Sequence, residues 1–379
     1  MNDAKSSRYH RSKRRADTVA CLATGGLWAG SLLTGWSATA SGAVGGRPSL
    51  YAAVILLAQG IALLPIAWYR GYWLERQYAL SETRAASWFV SRVRIGLIAL
   101  SVGAVLAELV VWSMRWPRFW WTAAALGCWV VAALLTASGP VFTLPLIQRS
   151  RPLGREALRQ RLERLSARAG VPVLGLHELP LGEGSRRAGA ALVGAGATRR
   201  IVLSDTLLAD YSDDEIEVVL AHEIGHHVHR HLLKASLGEL VLLLAGFRAA
   251  AAALDWSWRW LGLTSPTDLA GLPLVALAVG VVMVAATPLL NAWSRAHERH
   301  ADRFALETAS EPRAFIGAVR RMAAQNLAEE RPSNAAFLLF HTHPTAEERI
   351  AAARRLLTRT VNSQPPTTNS QGKQVAATE

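Results

Sequence analysis

Residues 218–231 read VVLAHEIGHHVHRH, five histidines in a chain that is otherwise apolar and rich in arginine. Within this stretch, His222-Glu223-Ile224-Gly225-His226 has the spacing H-E-x-x-H. On a helix, residues i and i+4 share a face, so both imidazoles can bind one cation. Glu223 lies about 100° round the same helix, beside the cation but not ligating it, where it can take a proton from a water that the cation polarises. Two nitrogens completed by oxygen favour Zn2+, one per chain, which lowers the pKa of its water to about 7. Chance seldom yields this pattern in such a setting. Ser212 as N-cap with Glu215 three residues on makes a capping box, and Asp213, Asp214 and Glu217 suit the positive end of the helix dipole. A helix is therefore predicted from there through the whole quoted stretch.

The remaining histidines fit less well. His229 is seven residues beyond His222, about 10.5 Å along the axis, which zinc–nitrogen bonds of about 2 Å cannot span. The one-helix extension H-E-x-x-H-x-x-G-x-x-H is absent, because His229 and Leu232 replace its glycine and final histidine. His227, His229 and His231 then read as polar residues at a membrane surface, and a third ligand must come from elsewhere. The segment SRAHERHADRFALE, residues 294–307, offers Glu298 and Asp302 four apart on one helix face. There Glu298 could complete the ligand set while Asp302 orients a ligand histidine. Of equal weight is an ordinary charged helix, with Arg295, Arg299 and Arg303 as the acids' partners.

What positions these groups is written in the rest of the chain. It has 379 residues, 51% of them hydrophobic, with 14 Trp and a net charge of +13. A nucleic-acid binder would carry its arginines on a folded polar surface. Here they cluster at the ends of apolar runs, which points to a lipid bilayer and away from nucleic acid. Cys21 and Cys128 both lie within apolar runs, against a disulfide scaffold. A span needs about 20 apolar residues. Runs near 18–39, 49–69, 95–114, 119–147, 235–255 and 267–291 predict about six spans, the fifth weakened by Glu239 and Arg248. Lys5, Arg8, Arg11, Lys13, Arg14 and Arg15 precede the first run, and QRSRPLGREALRQRLERLSARAG follows the fourth. This parity of basic loops puts the large polar segments in the cytoplasm of a plasma-membrane protein. A signal peptide ending in an A-x-A-like site is the alternative for the first run, and its removal leaves the other spans unchanged.

The expected organisation is a transmembrane region 1–147, a first catalytic segment 148–234, a transmembrane hairpin 235–291, a second catalytic segment 292–358 and a disordered tail 359–379. The two polar segments are together large enough for one packed domain. Leu158, Leu162 and Leu165 make a helical stripe, and VPVLGL, AALVG and RIVLS read as strands joined by hairpin turns. The fold class is mainly α, a polytopic helical membrane protein with a small cytoplasmic α+β domain split by a membrane hairpin.

Three ordered motifs resemble the integral-membrane zinc endopeptidases of the CAAX prenyl protease type I family, with the HtpX-type heat-shock proteases as relatives. The motifs are A-H-E-x-G-H at Ala221–His226, S-R-x-x-E-x-x-A-D at Ser294–Asp302, and H-P-x-x-x-E-R-I at His343–Ile350. The similarity also touches LERQYALSETRAASWF and runs over about residues 70–355. It implies a zincin-like domain in which His222, His226 and Glu298 bind zinc, Glu223 is the base and Asp302 holds a ligand. It further implies His343 and Arg349 near the scissile carbonyl. The family's edge strand carries N-A-[FY] before a glycine and pairs with substrate backbone. Here Gly189-Ala190-Ala191 stands there ahead of Gly194, so backbone pairing survives without those side chains.

A transporter would place its ionisable groups mid-span, where only Glu239 and Arg248 qualify. An inactive metal-binding scaffold sits poorly with an intact Glu223. The expected partners are peptide or membrane-protein substrates, with general membrane-protein proteolysis favoured over processing of lipidated C-terminal peptides, because nothing in the sequence reads an isoprenoid. No feature sets an oligomeric state.

Overall fold

The computed structural model describes residues 2–147, 150–179, 188–193 and 199–362. Its membrane part is helical. Helix α1 (Asn2–Leu33) is followed, after a bend of 76°, by α2 (Trp36–Ala43). Helix α3 (Pro48–Trp68) continues through a π turn at Tyr69–Trp73 into α4 (Leu74–Gln77), and α5 (Ala85–Ser113) and α6 (Trp120–Ile147) follow. After the first polar segment come α10 (His231–Ser257) and α11 (Leu272–Thr308).

Four of these rods are long and apolar enough to cross a bilayer: Pro48–Gln77, Ala85–Ser113, His231–Ser257 and Leu269–Thr308. The first run is the bent α1–α2 pair rather than one straight span, and in α6 the stretch Trp120–Thr136 is apolar but shorter. The run read as weakest is an unbroken helix of 27 residues. Outward side chains such as Ile61, Leu97, Val241 and Val281 are 60–65% exposed, a surface suited to lipid and not to water.

The basic N-terminus does more than flank a span. Helix α1 starts at Asn2 and its polar first turns form an arm against the second polar segment. Ser6 donates from Oγ to the Leu327 carbonyl at 2.9 Å, and Arg14 forms an ion pair with the buried Glu329. The arm and that segment therefore lie on the same side.

The polar part has a four-stranded sheet: β1 (Arg151–Pro152), β2 (Gly175–Leu179), β3 (Ala190–Val193) and β4 (Arg200–Ser204), in the order β1-β2-β4-β3. The β2–β4 pair is parallel and the others antiparallel, so β3 ends the order. The strand expected at VPVLGL begins only at Gly175, since Pro172 offers the ladder no N–H. The turns around β3 lie outside the described residues.

Helix α7 (Glu156–Arg168) buries its stripe as expected, with Leu158, Leu162 and Leu165 at most 1% exposed. Each contributes about 1.5–3 kcal/mol of transfer free energy. Helices α8 (Asp205–Asp210) and α9 (Asp213–Val228) complete the first segment, and α12 (Ala314–Gln325), α13 (Asn334–Phe340) and α14 (Ala346–Asn362) belong to the second. One apolar core joins the segments, with Leu162, Ile201, Ile216 and Leu220 against Ala305, Phe315, Val319 and Ala353. Helix α14 runs four residues into the stretch read as a tail, and residues 363–379 lie outside the described residues.

One local expectation fails. The helix predicted through residue 231 stops at Val228, Arg230 takes the left-handed conformation (φ 53°, ψ 39°), and α10 starts afresh at His231. The two helices answer to partly different partners. Both pack on α11, but α9 also meets β3, α7 and α12 whereas α10 also lies along α6, so apart from α11 their surroundings differ.

Candidate metal centre

The capping box fixes the start of α9. Ser212 Oγ accepts from Glu215 N at 3.2 Å, and Ser212 N donates to the Glu215 carboxylate at 3.0 Å. From there the helix carries His222, Glu223 and His226 to the face opposite α11. A Cβ on Gly225 would stand 3.1 Å from Ala301 Cα and 3.2 Å from Phe304 Cβ, so glycine is what lets α9 and α11 approach this closely. Mid-helix glycine costs about 1 kcal/mol relative to alanine, and the close approach is the compensation.

That approach brings three donors together. His222 Nε2 and His226 Nε2 are 3.2 Å apart, and the Glu298 carboxylate stands 3.3 Å from the first and 3.4 Å from the second. One ligand atom from each lies within 4.8 Å of the others, the one such convergence among the described residues. Four possible donor atoms thus crowd one small volume. Glu298 is 5% exposed, and its Oε2 makes no hydrogen bond of good geometry although imidazoles surround it. A divalent cation resolves this crowding, and two nitrogens with one oxygen suit zinc.

Around the trio, each imidazole has a partner on its far side. His222 Nδ1 stands 2.9 Å from Asp302 Oδ1, and Arg349 donates from Nε to Asp302 Oδ2 at 2.9 Å. Burial alone would lower His222, but the Asp302 and Glu298 carboxylates hold its pKa up at about 9. His226 Nδ1 is 3.0 Å from Nδ1 of His231. Glu223 is driven above the usual carboxylate range by burial, and the flanking imidazoles pull it back.

His343 Nδ1 lies 2.9 Å from Glu298 Oε2, with its ring 65% exposed. Arg349 is placed differently from His343. Both its side-chain hydrogen bonds go to Asp302, so it backs His222 while lining the same cavity. That cavity, about 320 Å3, is lined by the polar His222, Glu223, Glu298 and His343 and by the apolar Val219, Phe315, Val319 and Met322. Gly189 precedes strand β3, which ends the sheet order and begins with Ala190 and Ala191, opposite Leu203 and Val202. His227 hydrogen-bonds the Leu192 carbonyl of that strand, which ties it to α9.

Two contributors differ in how far the sequence signals them. Gly225 was legible as a helical glycine in need of a reason. His231 was not, because its place depends on a left-handed arginine that no local residue preference signals.

The pattern Peptidase family M48 matches residues 152–357, more than half of the chain. The chain belongs to peptidase family M48. A second pattern, CAAX prenyl protease N-terminal with five membrane helices, matches residues 4–149. The M48 chain is 29% identical over 307 residues to an uncharacterized metalloprotease, YhfN, of Bacillus subtilis, covering 80% of this chain and 72% of that protein. It is 27% identical to a CAAX prenyl protease 1 homolog of Dictyostelium discoideum, covering 65% of this chain and 59% of the relative. The crystal structure of S. mikatae Ste24p superposes with a TM-score of 0.74 over 93% of this chain and 88% of its own, at 21% identity. That likeness carries the fold. The protein is thus a multi-pass membrane metallopeptidase acting on peptides or proteins, as its motifs led one to expect.

Proposed function

We propose that this M48 peptidase holds one zinc ion on His222, His226 and Glu298 and hydrolyses peptide bonds of membrane-associated proteins. The observation that carries this reading is the convergence of two imidazoles and a carboxylate from two helices within 4.8 Å, with a buried carboxylate oxygen left without a good hydrogen bond. Bound there, zinc supplies Lewis acidity, bringing a water's pKa to about 7 and polarising the scissile carbonyl.

The chain's own groups do the rest. Glu223 takes the proton of the attacking water and passes it to the departing amine nitrogen. His343, exposed on the cavity side, donates to the oxygen that becomes negative. Arg349 holds Asp302, and Asp302 holds His222. Substrate backbone pairs with the outer edge of β3 at Ala190, which needs no side chain. Gly189 already bonds Ser204 through both its backbone groups, and the antiparallel alternation turns Ala191 to β4 as well. The apolar residues of the cavity lining suit a hydrophobic side chain next to the cleaved bond.

The polar segments 148–234 and 292–358 act as one catalytic unit on the cytoplasmic side of the plasma membrane. Supporting this are their shared core, the basic loops, and the N-terminal arm packed against residues 327–329. Reporter fusions at residues 45, 116 and 262 should read outside and those at 80, 200 and 330 inside; a catalytic segment on the outer face contradicts this topology. Relatives named CAAX prenyl protease favour a second reading, cleavage of lipidated C-terminal peptides. Cleavage-site profiling with purified protein separates the two.

The decisive variant is Glu223→Gln, assayed for peptide cleavage in detergent with zinc quantified on the same samples. A general base contributes typically 10²–10⁴ in rate, so activity should fall by at least that range while zinc stays. Cleavage at the parent rate would remove Glu223 as base.

A further inference from the structure

We propose that His231 is a positioning residue of the metal centre. It accepts a hydrogen bond from His226 Nδ1–H and so aims His226 Nε2 at His222 and Glu298. The proposal rests on the reading of His226 as a ligand.

The geometry distinguishes the two nitrogens of His226. Nε2 faces the site, 3.2 Å from His222 Nε2 and 3.4 Å from Glu298 Oε1. Nδ1 faces away, 3.0 Å from His231 Nδ1. A nitrogen that gives its lone pair to a cation carries no proton, so the proton of neutral His226 sits on Nδ1. His226 is then the donor and His231 the acceptor.

His231 is built to stay where it is. It is 4% exposed and stacks on His297, with ring centres 4.1 Å apart and planes 10° from parallel. His229 stacks against it at 5.5 Å. The turn at Arg230 brings it there. On an uninterrupted helix, residue 231 would stand nine residues past His222, about 13.5 Å along the axis and on the opposite side. The left-handed arginine reverses the chain so that residue 231 returns beside residue 226. An L-residue with a full side chain adopts that conformation only where the surroundings enforce it.

The test uses full-length protein in detergent and varies only the acceptor. His231→Phe keeps a flat ring for the stack and removes the acceptor. His231→Asn offers an amide oxygen, and His231→Asp offers a charged one. Zinc affinity is read by competition with a chelator of known affinity, and site geometry by the visible spectrum of the cobalt-substituted protein. Loss of a group that orients a metal ligand typically costs 10–100-fold in affinity. H231F should show that loss and a changed cobalt spectrum. H231N should stay within a few-fold of the parent, and H231D should equal or exceed the parent.

A space-filling role would give the reverse order, with H231F near the parent and the polar variants worse, and that result overturns the proposal. So do equal losses in H231F and H231N. If H231F does not fold, H231D against H231N still decides, because a charged acceptor must bind zinc more tightly than a neutral one. Equal affinities there also overturn the proposal. A parent protein that binds no zinc fails before any variant is made, and that outcome sinks the ligand reading itself.

Discussion

The two histidines of the motif stand four residues apart, yet they are held in unlike ways. Behind His222 is a carboxylate, Asp302 from α11, itself gripped by Arg349 from α14. Behind His226 is a neutral ring, His231, from the first turn of α10. The first arrangement reaches across both polar segments and uses charge. The second is local and uses none. The difference follows the surroundings of each histidine. His222 faces the polar segments, where an ion pair can be completed by an arginine. His226 faces the start of a membrane helix, where a buried carboxylate would be expensive and an imidazole is cheaper. A charged acceptor makes the stronger support and the one costlier to break.

Asp302→Asn should therefore have the largest effect. It strips His222 of a charged partner and leaves the part-buried Arg349 without its hydrogen-bonded carboxylate, a loss bounded above by the about 3–5 kcal/mol of a fully buried pair. Thermal unfolding should record that loss, and zinc affinity should fall by roughly 10–100-fold. Unchanged melting and affinity would erase the contrast between the two sides. Arg349→Met should act on the same chain of contacts more weakly, by about tenfold in zinc affinity. It also discriminates between roles. If Arg349 instead stabilised the developing oxyanion, zinc binding would be intact and kcat alone would drop.

A smaller effect is expected for Gly225→Ala, which acts on neither histidine directly. Its methyl would meet Ala301 Cα at 3.1 Å and Phe304 Cβ at 3.2 Å, so α9 and α11 must part slightly. Overpacking of this kind costs about 1–3 kcal/mol, partly offset by the better helix propensity of alanine. Stability and zinc affinity should both fall, measured as a lower melting temperature and weaker chelator competition. An increase in either would mean the helices are not in the tight contact described.

How much of this was legible depended on whether the signal was local. The motif, the capping box at Ser212 and Glu215, and the leucine stripe of α7 are each written within one or two helical turns, and each is found in place. Glu298 and Asp302 could be marked as sharing a face, but spacing could not say whether they turned toward His222 or toward neighbouring arginines. Only the packing of α9 on α11 decides that. Two more features were hidden for the same reason. The N-terminal basic residues gave a topology signal, but their contacts with residues 327–329 lie more than 300 positions away. On a continuous helix His231 reads as a surface residue, and neither glycine nor proline marks the break at Arg230.

Zinc content puts the central claim to its plainest trial. Full-length protein purified in detergent should carry about one zinc per chain, the stoichiometry of a single three-ligand site. His226→Ala should carry almost none, while His229→Ala, three residues further along the same turn of chain, should match the parent. Equal loss in both variants, or full zinc in His226→Ala, would contradict the assignment of His222, His226 and Glu298 as the metal-binding set.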